Sequence, residues 1–168
     1  VQAELYLNGF NPMQVRIQVY YICGKLLLNK EEDSNATQLD IQALSAGTYT
    51  VGNQGSANYT SFADLFEVLG CGGISGPVTI LLDAVNNLWN EQVIVPFIPG
   101  AGPNNPLVID AQGDTITSGS SVRSLATLSF NNSHNVIVRN AVIKATGTAN
   151  GVLFVNADSC SLVANTII

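Results

Sequence analysis

Charge is what this sequence has least of. Only 11% of its 168 residues are Asp, Glu, Lys or Arg, less than half the ~25% usual in soluble domains. Basic residues are scarcest: Lys and Arg total 6 against 12 acidic residues, a formal net charge of −6. Nucleic-acid binding rests on Lys and Arg neutralising phosphates, so that class of partner is excluded. An anionic membrane surface is disfavoured for the same reason. No apolar run approaches the ~20 residues that span a bilayer, so no membrane span is expected. Cysteine is sparse too. Cys23, Cys71 and Cys160 show neither CxxC nor Cys/His metal spacing. They read as small buried residues, with Cys23 and Cys71 the candidate disulfide pair. His134, the one histidine, lies in a Ser-His-Asn turn and reads as a solvated loop residue. No metal and no cofactor is expected. The sequence opens at Val1 without a signal peptide, which reads as a processed or excised piece.

What is present is a repeat. Leu128–Ile143 set over Leu153–Ile168, an offset of 25 residues, align without a gap. Leu128/Leu153, Asn131/Asn156, Val138/Val163, Asn140/Asn165 and Ile143/Ile168 are identical. Short β-branched runs broken by Asn and Gly, repeating at this length, are the pattern of a parallel β-solenoid. Its coils stack ~4.8 Å apart, with apolar residues aligned inside. Asn140 and Asn165 are expected at one bend, amide over amide, because Asn tolerates the left-handed backbone of a sharp corner. On the same offset Cys160 falls at the position of Asn135, a bend.

Residues 1–52 read as a small β-sheet or sandwich-like module. Its strands are Ala3–Leu7, Val15–Tyr21, Lys25–Leu28, Gln38–Ile41 and Tyr49–Val51, with a turn at Gly24 and a polar loop over Lys30–Asn35. Residues 53–75 hold a short helix and a Gly-rich link. Phe62, Leu65, Phe66 and Leu69 are spaced to share one helical face. Ser61 and Asp64 suit the helix start, and Gly70-Cys71-Gly72-Gly73 stops it. Such a helix suits the role of covering the first coil of a solenoid. Residues 76–168 read as the coils. Strands are expected at Val78–Leu82, Gln92–Val95, Leu107–Asp110, Leu128–Phe130, Asn135–Arg139, Val142–Lys144, Val152–Val155 and Ser161–Val163. The Phe97–Asn105 loop, bracketed by Pro96, Pro99, Pro103 and Pro106, is no central strand.

Two stretches carry resemblances. From Asn11-Pro12 onward come an apolar strand, Gly24-Lys25, Leu39-Asp40-Ile41 and Leu44 through Tyr49. This order resembles the C-terminal sorting domain of proteins exported by the bacterial type IX secretion system, although here it lies at the N-terminal end. The resemblance implies an extracellular or cell-surface location. The second runs from Gly47-Thr48-Tyr49-Thr50 through the helix, Gly76-Pro77-Val78-Thr79 and Ile98-Pro99-Gly100-Ala101. It resembles the opening of right-handed parallel β-helix domains in secreted proteins of such bacteria. The expected fold is therefore all-β: the first coils of a right-handed parallel β-helix, a capping helix and a preceding β-module. Both resemblances claim Gly47–Val51.

Carboxylates in the coils are few: Asp83, Glu91, Asp110, Asp114 and Asp158. Asp110 and Asp114 bracket a Gln-Gly turn and read first as turn residues. Arg139 and Lys144 lie on the repeat, but Ala164 stands at the position of Arg139 one coil later. No set suited to a lyase base or a two-carboxylate glycosidase emerges. Sugar contact needs only aromatic and amide groups, and Trp89 clusters with Asn86, Asn87 and Asn90. Asn35, Asn58 and Asn131 begin Asn-x-Ser/Thr triplets. Thr115, in Asp114-Thr115-Ile116, resembles an O-glycosylation site of the same bacteria. Ile167 and Ile168 form the candidate assembly edge, where a longer chain continues or another copy docks and builds a filament. The function expected is that of an extracellular structural or adhesive protein with polysaccharide as a candidate partner. The alternative is a carbohydrate-active β-helix enzyme whose catalytic coils lie elsewhere.

Overall fold

The computed structural model describes residues 3–5, 16–22, 25–31, 42–52, 55–84, 87–118 and 125–168. The chain divides into two compact units, Val1–Ile41 and Gln42–Ile168. In the first, β1 (Ala3–Leu5), β2 (Arg16–Ile22) and β3 (Lys25–Glu31) form one antiparallel sheet in that order. Arg16 pairs with Glu31 and Ile22 with Lys25. The ladder opposite Arg16 thus carries β3 through Lys30 and Glu31, which were expected in a loop. The Gly24 turn and the Gln38–Ile41 strand lie outside the described residues.

The second unit starts earlier than the expected module boundary at residue 52. Its first strand, β4 (Gly47–Gly52), pairs parallel with β5 (Val78–Asp83) along its whole length, Gly47 on Val78 through Gly52 on Asp83. Backbone pairing therefore assigns the doubly claimed Gly47–Val51 to the stack of parallel strands.

Ten further strands follow: β6 (Leu88–Asn90), β7 (Val93–Val95), β8 (Leu107–Asp110), β9 (Thr115–Thr117), β10 (Ala126–Asn131), β11 (Val136–Arg139), β12 (Val142–Lys144), β13 (Asn150–Val155), β14 (Ser161–Val163) and β15 (Thr166–Ile167). They build three parallel sheets, ordered β14-β11-β8-β5-β4, β15-β12-β9-β6 and β13-β10-β7. From β5 onward the chain visits the five-, four- and three-stranded parallel sheets in rotation, each strand laid on its predecessor. The described chain is mostly β, with one short helix.

Stacking puts apolar residue over apolar residue. Ile80, Ile109, Val138 and Leu162 form one inward column. Trp89, Ile116, Ile143 and Ile167 form a second, and Val95, Phe130 and Phe154 a third. Phe130 and Phe154 stack with centroids 4.6 Å apart and planes within 2°. Ile80, Val95, Ile109, Phe130 and Ile143 are fully enclosed, each contributing roughly 1.5–3 kcal/mol of burial.

The register corrects the repeat. Leu128 stands over Val152, Val138 over Leu162 and Ile143 over Ile167, an offset of 24 residues where the identities suggest 25. Arg139 consequently faces Val163 rather than Ala164. Left-handed corners repeat at the same 24: Asn132 and Asn156, Asn135 and Ser159, Asn140 and Ala164 all have φ between 49° and 55°. Earlier turns are longer, since Val78 lies under Leu107 and Leu107 under Val136. A one-residue slip flips a strand's faces, so burial rather than letter identity decides the pairing.

The helix α1 (Phe62–Gly72) buries the expected face of Phe62, Leu65, Phe66 and Leu69. Ser61 caps it by accepting from the Asp64 N–H at 3.0 Å. A distant group completes the cap: the Glu91 carboxylate accepts from the N–H groups of Phe62 and Ala63, both at 3.0 Å. A carboxylate at this end also complements the helix dipole. Behind it, Gly73 (φ 68°) and Gly100 (φ 81°) let two backbones touch. A Cβ on Gly73 would collide with the Pro99 carbonyl, and one on Gly100 with that of Ile74.

Candidate functional site

Two corners of the parallel stack concentrate polar chemistry. The first joins the five-stranded sheet to the four-stranded one. Here Asp110, 9% exposed, accepts from Arg139 Nε at 2.8 Å, Asn140 Nδ2 at 3.0 Å and the Gln112 N–H at 3.0 Å. Desolvation pushes its carboxyl pKa up. The bonds from Asn140, Gln112 and Arg139, together with the Arg139 charge, outweigh that and hold it below the usual carboxylate range. Asp114, 6% exposed, accepts from the Ala84 N–H at 3.2 Å. Burial raises its pKa, the Ala84 bond opposes this, and the charge of Asp83 adds to it.

Asn165 does two coils higher what Asp114 does lower down. Each immediately precedes its strand of the four-stranded sheet, at the register position of Ala141. Asn165 Oδ1 accepts from the Ala141 N–H and its Nδ2 donates to the Val138 carbonyl, both at 2.8 Å. The expected amide ladder between Asn140 and Asn165 is therefore replaced. The two share this corner one residue out of register, and each amide serves another partner.

The second corner joins the three-stranded parallel sheet to the five-stranded one. Phe97 is 52% exposed and meets the His134 ring edge-on, centroids 5.8 Å apart. Phe97, Asn132 and Asn156 lie just beyond the ends of β7, β10 and β13, neighbouring strands of one sheet. Asn156 Nδ2 donates to Asn132 Oδ1 at 3.2 Å, and Asn132 Nδ2 to Asn131 Oδ1 at 3.2 Å. Asp158 lies beside His134 through a parallel bridge. The buried Ser133 hydroxyl pins this bend to the Val95 carbonyl at 2.6 Å.

Within the expected sugar cluster, Trp89 faces inward. Trp89 is 5% exposed, packs edge-on against Phe62 at 5.4 Å and donates from Nε1 to Glu91 at 3.0 Å. Its ring fills the interior beneath the helix and offers no face to a ligand. Asn87 and Asn90 are exposed, and Asn86 lies outside the described residues. Thr115 is half-buried in a central strand between β6 and β12. The Asn58 carboxamide accepts from the Thr50 N–H and hydroxyl at 2.9 and 3.1 Å, while Asn35 is outside the described residues. Ile167 and Ile168 are exposed by 53% and 61%.

Cys71 is disulfide-bonded, and Cys23 lies outside the described residues. Cys160 is a free thiol at the register position of Val136, just before β14, rather than over the bend residue Asn135. Burial raises its pKa, a bond involving Val136 opposes this, and the charge of Asp158 adds to it. Sequence spacing missed three arrangements: the Glu91 helix cap, the Asp110–Arg139 pair 29 residues apart, and Phe97 beside His134. No short-range pattern signals them. Among the described residues no cluster of His, Cys, Asp or Glu suits a metal, and no helix is long and apolar enough to cross a membrane.

The fold and its corners define an all-β protein of stacked parallel strands. Residues 2–62 match the family described as the secretion system C-terminal sorting domain, just over a third of the chain. The match points to a protein related to type IX secretion, secreted or at the cell surface. It lies N-terminal to the stack and extends into it, through β4 as far as the first residue of α1. No curated protein and no solved structure matches the chain.

Proposed function

We propose that the chain belongs to an extracellular structural or adhesive surface protein. In this reading the three parallel sheets are the walls of a right-handed parallel β-helix, and α1 covers its first strands. The observation that carries it is the juxtaposition of a sorting-domain match with parallel strands taken in rotation. Stacked strands of this kind make a stiff rod with repeating faces, suited to display and adhesion. Self-association, and contact with polysaccharide, are parts of the same proposal. Negative-stain imaging of the native material tests it: rods or fibres support it, and isolated particles with glycan turnover overturn it.

A carbohydrate-active enzyme is the second reading. It draws on Asp110 and Asp114, whose carboxyls are pushed in opposite directions, as acid–base pairs are. Against it, both carboxylates already accept bonds that tie this corner to neighbouring coils, Asp114 from Ala84 and Asp110 from Arg139 and Asn140. Loss of glycan turnover in Asp114→Asn, with folding unchanged, would favour it.

A further inference from the structure

Phe97 is exposed, yet it is held still. Pro96 restricts the backbone on one side. On the other, Ile98 is 1% exposed, and the Pro99 carbonyl accepts from the Ile74 N–H at 2.9 Å. The edge-on contact with His134 fixes the ring further. Just beyond the neighbouring strands β10 and β13 stand the exposed amides of Asn132 and Asn156, linked to each other. An immobilised aromatic face beside a row of amides is a pre-organised surface, which loses little conformational entropy when a ligand lands.

We infer that Phe97, His134, Asn132 and Asn156 form a contact strip for a neutral polysaccharide. Pyranose rings present an apolar C–H face that stacks on an aromatic ring, and hydroxyls that pair with amides, which both donate and accept. Phe97, Asn132 and Asn156 follow the successive strands β7, β10 and β13 of one sheet, so a glycan laid across those strands meets the aromatic first and the amides in succession. Charge selects the neutral class. Asp158 adjoins His134 and the chain carries a net −6, so a polyuronate would be repelled. The strip deepens the adhesive reading, and it replaces the buried Trp89 as the aromatic contact.

The test is titration of the full chain with soluble hydroxyethylcellulose and with polygalacturonate by isothermal calorimetry. Binding is expected for the neutral glucan and not for the polyuronate. Phe97→Ala should weaken binding about tenfold, the size of one stacked aromatic face. Phe97→Trp should restore it, and Asn156→Ala should weaken it less. Glucan binding unchanged in a folded Phe97→Ala chain overturns the strip while leaving adhesion standing. A native chain that forms rods but binds no glucan overturns it too, without touching the structural reading. Tighter binding to polygalacturonate overturns the assignment to neutral sugars.

Discussion

Single side chains hold the corners of this stack, and their protonation is testable. The Asp110 carboxyl lies below its usual range in the folded chain. Its contribution is therefore fully present above the ordinary carboxylate pKa and is lost as pH falls through the folded value. Asp110→Asn should lower stability at neutral pH by about 1 kcal/mol, the pair with half-exposed Arg139 being partly screened. It should also flatten the acid limb of a urea-denaturation series against pH. Asp114 has the opposite sign. Its pKa is raised, so a penalty develops as pH rises from the ordinary carboxylate value through the folded one. Asn165 shows that an amide can do the same job on the same column. Asp114→Asn should accordingly be neutral or stabilising at pH 7, whereas Asp114→Ala, which strands the Ala84 N–H, should cost about 1–2 kcal/mol. Chemical denaturation at pH 7 separates the two variants.

At the level of elements, α1 shows what local pattern reveals and what it hides. The spacing of Phe62, Leu65, Phe66 and Leu69 made the helix and its buried face readable, because a helical period needs only neighbouring residues. Half of its N-terminal cap was not readable. Glu91 lies 29 residues from Phe62, and a carboxylate before Gln92 looked like a sparse coil acid. Glu91→Ala should destabilise by about 2 kcal/mol, since it strips acceptors from Phe62, Ala63 and the Trp89 indole together. Thermal melting followed at 222 nm and by Trp89 fluorescence checks this, with both probes shifting together. The strands divide along a similar line. In the five-stranded sheet β4, β5, β8 and β11 carry two or more inward residues, and their period is readable in the sequence. In the four-stranded sheet, β6, β9 and β15 are two or three residues long. Each places one residue, Trp89, Ile116 or Ile167, in the inward column, so none shows a repeating alternation in the sequence.

Across the whole molecule, enclosure varies along the stack. Residues of β8 to β12 are sealed between neighbours on both sides, whereas β13, β14 and β15 hold no fully enclosed apolar residue. Local opening should follow that order. Hydrogen exchange read by mass spectrometry should find amides of β8, β10 and β11 protected longest, and those of β13 to β15 exchanging first. Uniform protection across the three parallel sheets would contradict the account.

The chain's own letters were enough to establish β-richness, the helix, the prolyl loop and a stack of repeating strands. These are properties of composition and short-range period. The spatial register was settled only when strands lay on one another. Identities favoured an offset of 25, while the structure pairs at 24, because side chains alternate by two and a slip of one would exchange the inward and outward faces. Partners brought together by stacking, such as Asp110 with Arg139 or Phe97 with His134, belong to different coils. Nothing in the sequence near either residue encodes the other, so only the tertiary structure could unite them.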